Sequence, residues 1–237
     1  MKQIIKNVFR KLGYDVVKYQ PKPNLLKPYW DMARFIKNDK PILFDVGANI
    51  GQTAKMLDEV FPEGVIHSFE PSENTFEILT QNVSEIRNVN CWNFALGAVP
   101  EERKFFENSR SPMSSFLRLG ESGWGEIENE LTVKVKSIDD FCSEQKVEMI
   151  DILKIDTQGF ELEVLKGAET MIANGCVGLL YMEVTFAKLY EDLPSFGELY
   201  EFLINRKFKL VTIYPIKQRH KVAGWTDMLF VHEDYIK

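Results

Sequence analysis

The sequence predicts a doubly wound α/β sheet, mostly parallel, whose last strand runs antiparallel. Three observations carry this. From Pro41 onward short apolar runs alternate with amphipathic segments, the pattern of parallel strands covered by helices on both faces. The first apolar run passes into the first amphipathic segment through a glycine-bearing turn. The two final runs, 208–214 and 228–232, leave no room for a helix between them, so they pair antiparallel and close the sheet. The chain has 237 residues, 45% hydrophobic and 27% charged. That is ordinary globular usage, and roughly 70–75% of the unfolded surface of such a chain can be buried without disulfides or a structural metal.

Taken in order, Ile4, Ile5, Val8, Phe9 and Leu12 recur at helical spacing opposite Lys2, Lys6, Arg10 and Lys11, which predicts a short basic amphipathic helix. Up to Trp30 seven basic residues face Asp15 alone, so this stretch carries +6 and the remainder −12 of a net −6. A basic arm over residues 1–39 is therefore expected, packing on its own domain or a homodimer partner, or suited to a peripheral membrane or glycolipid surface. The acidic remainder, 40–237, argues against a nucleic-acid partner. Strands are expected at 41–45, 65–69, 90–95, 150–155 and 177–184, and helices at 29–37, 52–61, 75–84, 160–168 and 196–205. The long stretch 97–148, with strand-like pieces at 104–106 and 131–135 and rich in turn residues around 109–115 and 120–125, reads as a flap insertion over the strand ends. Within it, Asp139 and Asp140 follow Ser137 at helix-start spacing and are assigned to capping. Cys91, Cys142 and Cys176 are sparse and unpaired in spacing, reading as free thiols. No apolar run approaches the ~20 residues that span a bilayer, and the residues after Met1 lack a long apolar stretch. A cytoplasmic location, peripheral to the inner membrane if the arm binds there, is the expectation.

The chemistry gathers at strand ends. Phe44-Asp-Val-Gly-Ala-Asn-Ile-Gly51 places Gly47 and Gly51 where a strand turns into a helix, so backbone can approach a ligand closely and free helix N–H groups face it. Its Gly-x-x-x-Gly spacing is neither the nicotinamide fingerprint nor a phosphate loop. Glu70, in Phe69-Glu-Pro71, stands at the carboxyl end of the second strand, where open α/β sheets bind ligands. A carboxylate there can accept from both hydroxyls of a ribose, and without a phosphate-binding turn this suggests an adenosine lacking phosphates. Ser72 is the better-placed cap for the helix that follows.

These residues carry a resemblance. Asp45-Val-Gly-Ala-Asn-Ile-Gly51, Phe69-Glu-Pro71, Asn93-Phe-Ala-Leu-Gly97 and above all Leu153-Lys-Ile-Asp-Thr-Gln-Gly-Phe-Glu-Leu-Glu-Val-Leu-Lys-Gly167 resemble the FkbM-type S-adenosylmethionine-dependent methyltransferases, over about 41–231. The resemblance implies a class I, Rossmann-like fold of strand order 3-2-1-4-5-7-6. It also implies S-adenosyl-L-methionine as cofactor and O-methylation of a sugar, glycan or related natural product. It would set Asp45, Gly47 and Asn49 along the methionine end, Glu70 on the ribose, Asn93 and Ala95 beside the adenine, and Asp156 toward the methionine amino group or the acceptor. Ala48, Gly51, Thr53 and Pro71 complete the cofactor-binding candidates. Gln158 stands where many members have Glu.

A sugar hydroxyl needs a base or a metal to acidify it. Asp156 and Glu183, on adjacent strand tips, are the catalytic candidates, able to raise one another's pKa or to hold a divalent cation, though no metal ligand is assigned. His220, in the 217–221 loop, is a further candidate base. His67 reads as structural, Asp227 as undecided, and Phe116, Trp124 and Trp225 as stacking faces for a sugar. The competing readings are a nicotinamide-dependent sugar oxidoreductase and a non-catalytic Rossmann-like binding protein.

Overall fold

The computed structural model describes residues 27–237. The basic amphipathic helix expected over 4–12 lies outside them. Eight strands, parallel and antiparallel, build the main sheet. Its strands are β1 (Ile42–Val46), β2 (Val65–Phe69), β3 (Val89–Trp92), β7 (Ile150–Ile155), β8 (Val177–Thr185) and β11 (Val222–His232), with β9 (Phe208–Ile213) and β10 (Lys217–Arg219) beside β11. They lie in the order β3-β2-β1-β7-β8-β11. All neighbours from β3 to β8 are parallel, and β11 runs antiparallel to β8 and to β9. With β7, β8, β9 and β11 in places 4, 5, 6 and 7, this is the class I methyltransferase arrangement.

Helices cover both faces because the strands are apolar on both. One layer packs α1 (Lys27–Ala33), α2 (Gln52–Val60) and α3 (Glu73–Val83) on Leu43, Ile66, Ile152 and Leu229. The other packs α4 (Ile138–Gln145), α5 (Glu161–Lys166) and α7 (Phe196–Ile204) on Phe44, Phe69, Leu153 and Leu180. Tyr29 and Met32 of α1 are buried in the first layer and Tyr214 Oη donates to Asp31 at 3.1 Å, so this helix, inside the stretch assigned to the arm, is integral to the fold. Among the described residues, no helix is long and apolar enough to cross a membrane.

Three elements differ from the sequence reading. The expected strand 90–95 is two: β3 stops at Trp92, and β4 (Ala95–Leu96) joins a separate sheet of order β4-β6-β5 with β5 (Glu101–Asn108) and β6 (Ile127–Lys136). The break is fixed by Asn93, whose Nδ2 donates to the carbonyls of Glu70 and Pro71. The expected helix 160–168 ends at Lys166 and is followed by α6 (Glu169–Ala173), because Asp139 accepts from the N–H groups of Thr170 and Met171. Asp139 thus caps a helix 30 residues downstream, while Ser137 caps α4 with Asp140 bonded to its hydroxyl. The expected loop 217–221 is a hairpin: β10 pairs with β11, and His220 and Lys221 occupy its turn with positive φ, the geometry that matches strand twist. His67 is buried, stacks on Trp92 and accepts from its indole N–H. Burial lowers its pKa to about 4, so it sits neutral in the core.

Gly47 positions the site. It has φ +76, and a Cβ there would overlap the carbonyl oxygen of Asp156 at the end of β7. Its N–H and that of Ala48 both donate to Phe69 O, drawing the ends of β1, β2 and β7 together. Gly47→Ala combines left-handed strain with that overlap and is expected to lower stability by at least ~2 kcal/mol in urea denaturation.

Candidate active site

A cleft of about 790 Å³, counted out to its open mouth, lies over the carboxyl ends of β1, β2 and β7. Gly47, Ala48, Asn49, Thr53, Glu70, Pro71, Ala95 and Asp156 line it; Asp45, Gly51 and Asn93 do not. Gly51 instead ends the turn as the N-cap of α2 with φ +89, and a Cβ there would press on Leu79 and Val83. Asn93 holds the Glu70–Pro71 turn from outside. Gly51 therefore serves packing of the protein's own chain, whereas Gly47 both lines the cleft and lets Asp156 O approach its backbone.

Glu70 is 6% exposed. One carboxylate oxygen accepts from Asn49 N and the other from Ser72 N, both at 3.0 Å. Burial outweighs these donors and pushes its pKa up to about 7. Ser72 caps α3 by accepting from Thr75 N, so Glu70 is free of that duty. The insertion roofs the cleft: Phe105, Ser111 and Phe116 line it, and Ser111 Oγ donates to Asn49 Oδ1 at 3.2 Å.

Asp45 lies beneath the floor. It is fully buried and is the register partner of Lys154 on the neighbouring strand. Lys154 Nζ sits 2.9 Å from Asp45 Oδ1, 3.8 Å from Asp156 Oδ2 and donates to Gly47 O at 3.1 Å. The approach to Asp45 is an ion contact without hydrogen-bond direction, and neither Asp45 oxygen has a directed hydrogen bond among the described residues. Burial raises the Asp45 pKa and Lys154 opposes it. Burial also works against the Lys154 ammonium, but Asp45 and Asp156 outweigh it and hold its pKa above the ordinary value. Lys154 lines the cleft and was not among the sequence candidates. Its position as a lone cation inside an apolar strand was the available signal.

The tips of β7 and β8 bring the two catalytic candidates together. Gln158 Nε2 donates to Asp156 Oδ1 at 2.7 Å and to Glu183 Oε1 at 3.0 Å, while its Oε1 accepts from Tyr190 Oη at 2.8 Å. Asp156 lines the cleft with a side chain 39% exposed; Glu183 stands one hydrogen bond behind it. Burial, then Asp156, Asp227 and Glu161, push the Glu183 carboxyl well above the usual range, against Lys217. Asp227, its register partner on β11, is likewise raised by burial and by Asp156. The turn itself is held by Glu161, whose buried carboxylate accepts from Thr157 N, Thr157 Oγ1 and Gly159 N. His220 is exposed at the β10–β11 turn, outside the cleft lining. Trp124 and Trp225 pack on each other at 5.4 Å, with Arg219 over one ring and Lys217 over the other, and Phe116 packs on Phe105 and Phe160. Among the described residues no group of three or more His, Cys, Asp or Glu is arranged to hold a metal ion.

This geometry has known counterparts. The sequence profile of the Methyltransferase FkbM domain matches residues 45–210. The 2-O-methyltransferase NoeI of Sinorhizobium fredii is 23% identical over 201 residues, covering 80% of this chain and 81% of NoeI. The Hexuronic acid methyltransferase AglP of Haloferax volcanii is 30% identical over 182 residues, 70% of each chain. Methyltransferase FkbM from Methylobacillus flagellatus KT superposes with a TM-score of 0.54 at 16% identity, covering 82% of this chain and 44% of that longer one, a likeness of fold. The match spans well over half of the chain and sets aside both the oxidoreductase and the non-catalytic alternatives. The protein belongs to the FkbM methyltransferase family and is a methyltransferase.

Proposed function

We propose that the protein moves a methyl group from S-adenosylmethionine to a hydroxyl of a sugar or glycan. The observation that carries this reading is the presence, in one cleft, of a buried ribose-type acceptor, Glu70, and of Asp156, which Gln158 joins to Glu183 behind the lining. NoeI is a 2-O-methyltransferase and AglP a hexuronic acid methyltransferase, which together support a sugar hydroxyl as acceptor.

The residues fit S-adenosylmethionine. Each Glu70 oxygen has one backbone donor and keeps a lone pair for a hydroxyl. When bound, the cofactor supplies a methyl group already made electrophilic by its sulfonium. This chain's work is then orientation, exclusion of water and proton acceptance. Glu70 fixes the ribose, Gly47, Ala48 and Asn49 border the methionine end, and the Phe105–Phe116 roof excludes water. Asp156 faces the acceptor hydroxyl, and the Asp156–Glu183 pair takes its proton. The basic segment preceding the described residues would bring the enzyme to an anionic surface.

Ionised Glu70 accepts ribose hydroxyls better than its neutral form. S-Adenosylmethionine binding is therefore expected to tighten as pH rises through about 7. Isothermal calorimetry between pH 6 and 8 checks this: Glu70→Gln should bind at least ~10-fold more weakly, with affinity flat across that range. Binding by the variant at wild-type strength would remove Glu70 from the cofactor site.

A further inference from the structure

Gln158 is held more tightly than a cleft-lining side chain requires. Its carbonyl accepts from Ser115 Oγ of the insertion at 2.7 Å, and its backbone takes φ +57 directly before Gly159 at φ +102. Glu161 secures that turn from below. At the other end of the side chain, the Tyr190 hydroxyl donates to Oε1. This fixes the amide's orientation: turned over, its oxygen would face two carboxylates, and the Tyr190 hydroxyl would keep only its longer contacts to Met113. Both amide hydrogens are thereby spent, one on Asp156 and one on Glu183.

We propose that Gln158 is a positioning residue whose single amide NH2 ties Asp156 to Glu183 and fills the place between them that a bridging cation would otherwise take. Two carboxylates brought this close repel unless something positive lies between them. The amide supplies partial positive charge from both hydrogens and adds no net charge. The groups around Glu183 show how little else is available. Asp156 on the β7 tip, Glu161 on α5 and Asp227 on β11 are all acidic, and Tyr190 gives its proton to Gln158. Lys217 on β10 is the cation facing Glu183 itself, and Lys154, 3.8 Å from Asp156, is engaged by Asp45. The proposal concerns this geometry alone; the role of the pair in turnover rests on the reading above and can fail separately.

The test needs neither cofactor nor acceptor. Mn²⁺ binding, followed by the electron paramagnetic resonance of the free ion, is expected to be absent in the wild type and saturable in Gln158→Glu, which sets three carboxylates around one point. Adding Glu183→Gln to that variant should abolish the binding. In parallel, the Glu183 carboxyl is titrated by ¹³C NMR, assigned by its loss in Glu183→Gln. Gln158→Met removes donors that favour the ionised form and should raise the midpoint by about one pH unit or more. Gln158→Glu is close in shape to wild type and keeps the test intact if Gln158→Met does not fold. Wild-type Mn²⁺ binding that depends on Glu183, no binding by Gln158→Glu, or an unmoved Glu183 midpoint in Gln158→Met would each overturn the proposal.

Discussion

The double variant Asp156→Asn/Glu183→Gln is expected to lose about 10²–10⁴ in kcat, the range for removing a general base. The KM for S-adenosylmethionine should change far less, because Glu70 and the β1–α2 turn remain. Each single variant should already show most of the loss, since the two carboxylates share one amide and do not act independently. In the wild type, turnover should rise with pH as the pair loses its proton, with a midpoint above the ordinary carboxylate range because burial and its acidic neighbours raise Glu183. Stability behaves oppositely. Glu183's folded pKa lies above its unfolded value, so its contribution is present at low pH and is lost as pH rises through the folded pKa. Glu183→Gln removes that loss, and at pH 8 its melting temperature should equal or exceed that of wild type. A double variant that keeps more than about a tenth of wild-type turnover would place the base elsewhere.

Lys154→Met is the variant expected to cost the fold most. It leaves the fully buried Asp45 without its cation, for which about 3–5 kcal/mol is typical when one partner of a buried pair is removed. The same change frees Gly47 O, so the end of β1 loses an anchor. Adding Asp45→Asn removes the stranded charge and should recover about half or more of the loss, measured by urea denaturation of the single and double variants. If Lys154→Met alone were neutral, Asp45 would have to be uncharged in the fold, and the ion pair would not organise the cleft floor.

The parallel strands were legible because each is a continuous apolar run, and the strand order followed from the resemblance once those runs were placed. Glu70 was legible too: a carboxylate closing an apolar strand has few structural uses, and Ser72 already supplied the cap. The burial of Asp45 against Lys154 was not legible for a physical reason. Positions 45 and 154 are register partners on adjacent strands but lie 109 residues apart in sequence, and nothing local shows that they pair across the sheet. Gln158 could be seen as unusual but not as a bridge, since its partners Glu183 and Tyr190 lie 25 and 32 residues away. The β10–β11 hairpin was missed because its strand 217–219 is polar and mostly exposed, with no alternation to read. Of the small sheet β4-β6-β5, the pieces 104–106 and 131–135 were legible inside β5 and β6, but their full length and the two-residue β4 were not, because β5 and β6 bury few side chains.

The proposed reaction is methyl transfer from S-adenosylmethionine to a sugar hydroxyl. Its most direct test is incubation of the purified enzyme with methyl-¹³C-labelled S-adenosylmethionine and glycans from its source cells, followed by mass spectrometry and NMR of the products. The account predicts label in an O-methyl group on a sugar ring, dependent on Glu70 and on the Asp156–Glu183 pair. Label found on nitrogen or carbon, or left entirely on the cofactor, would contradict it.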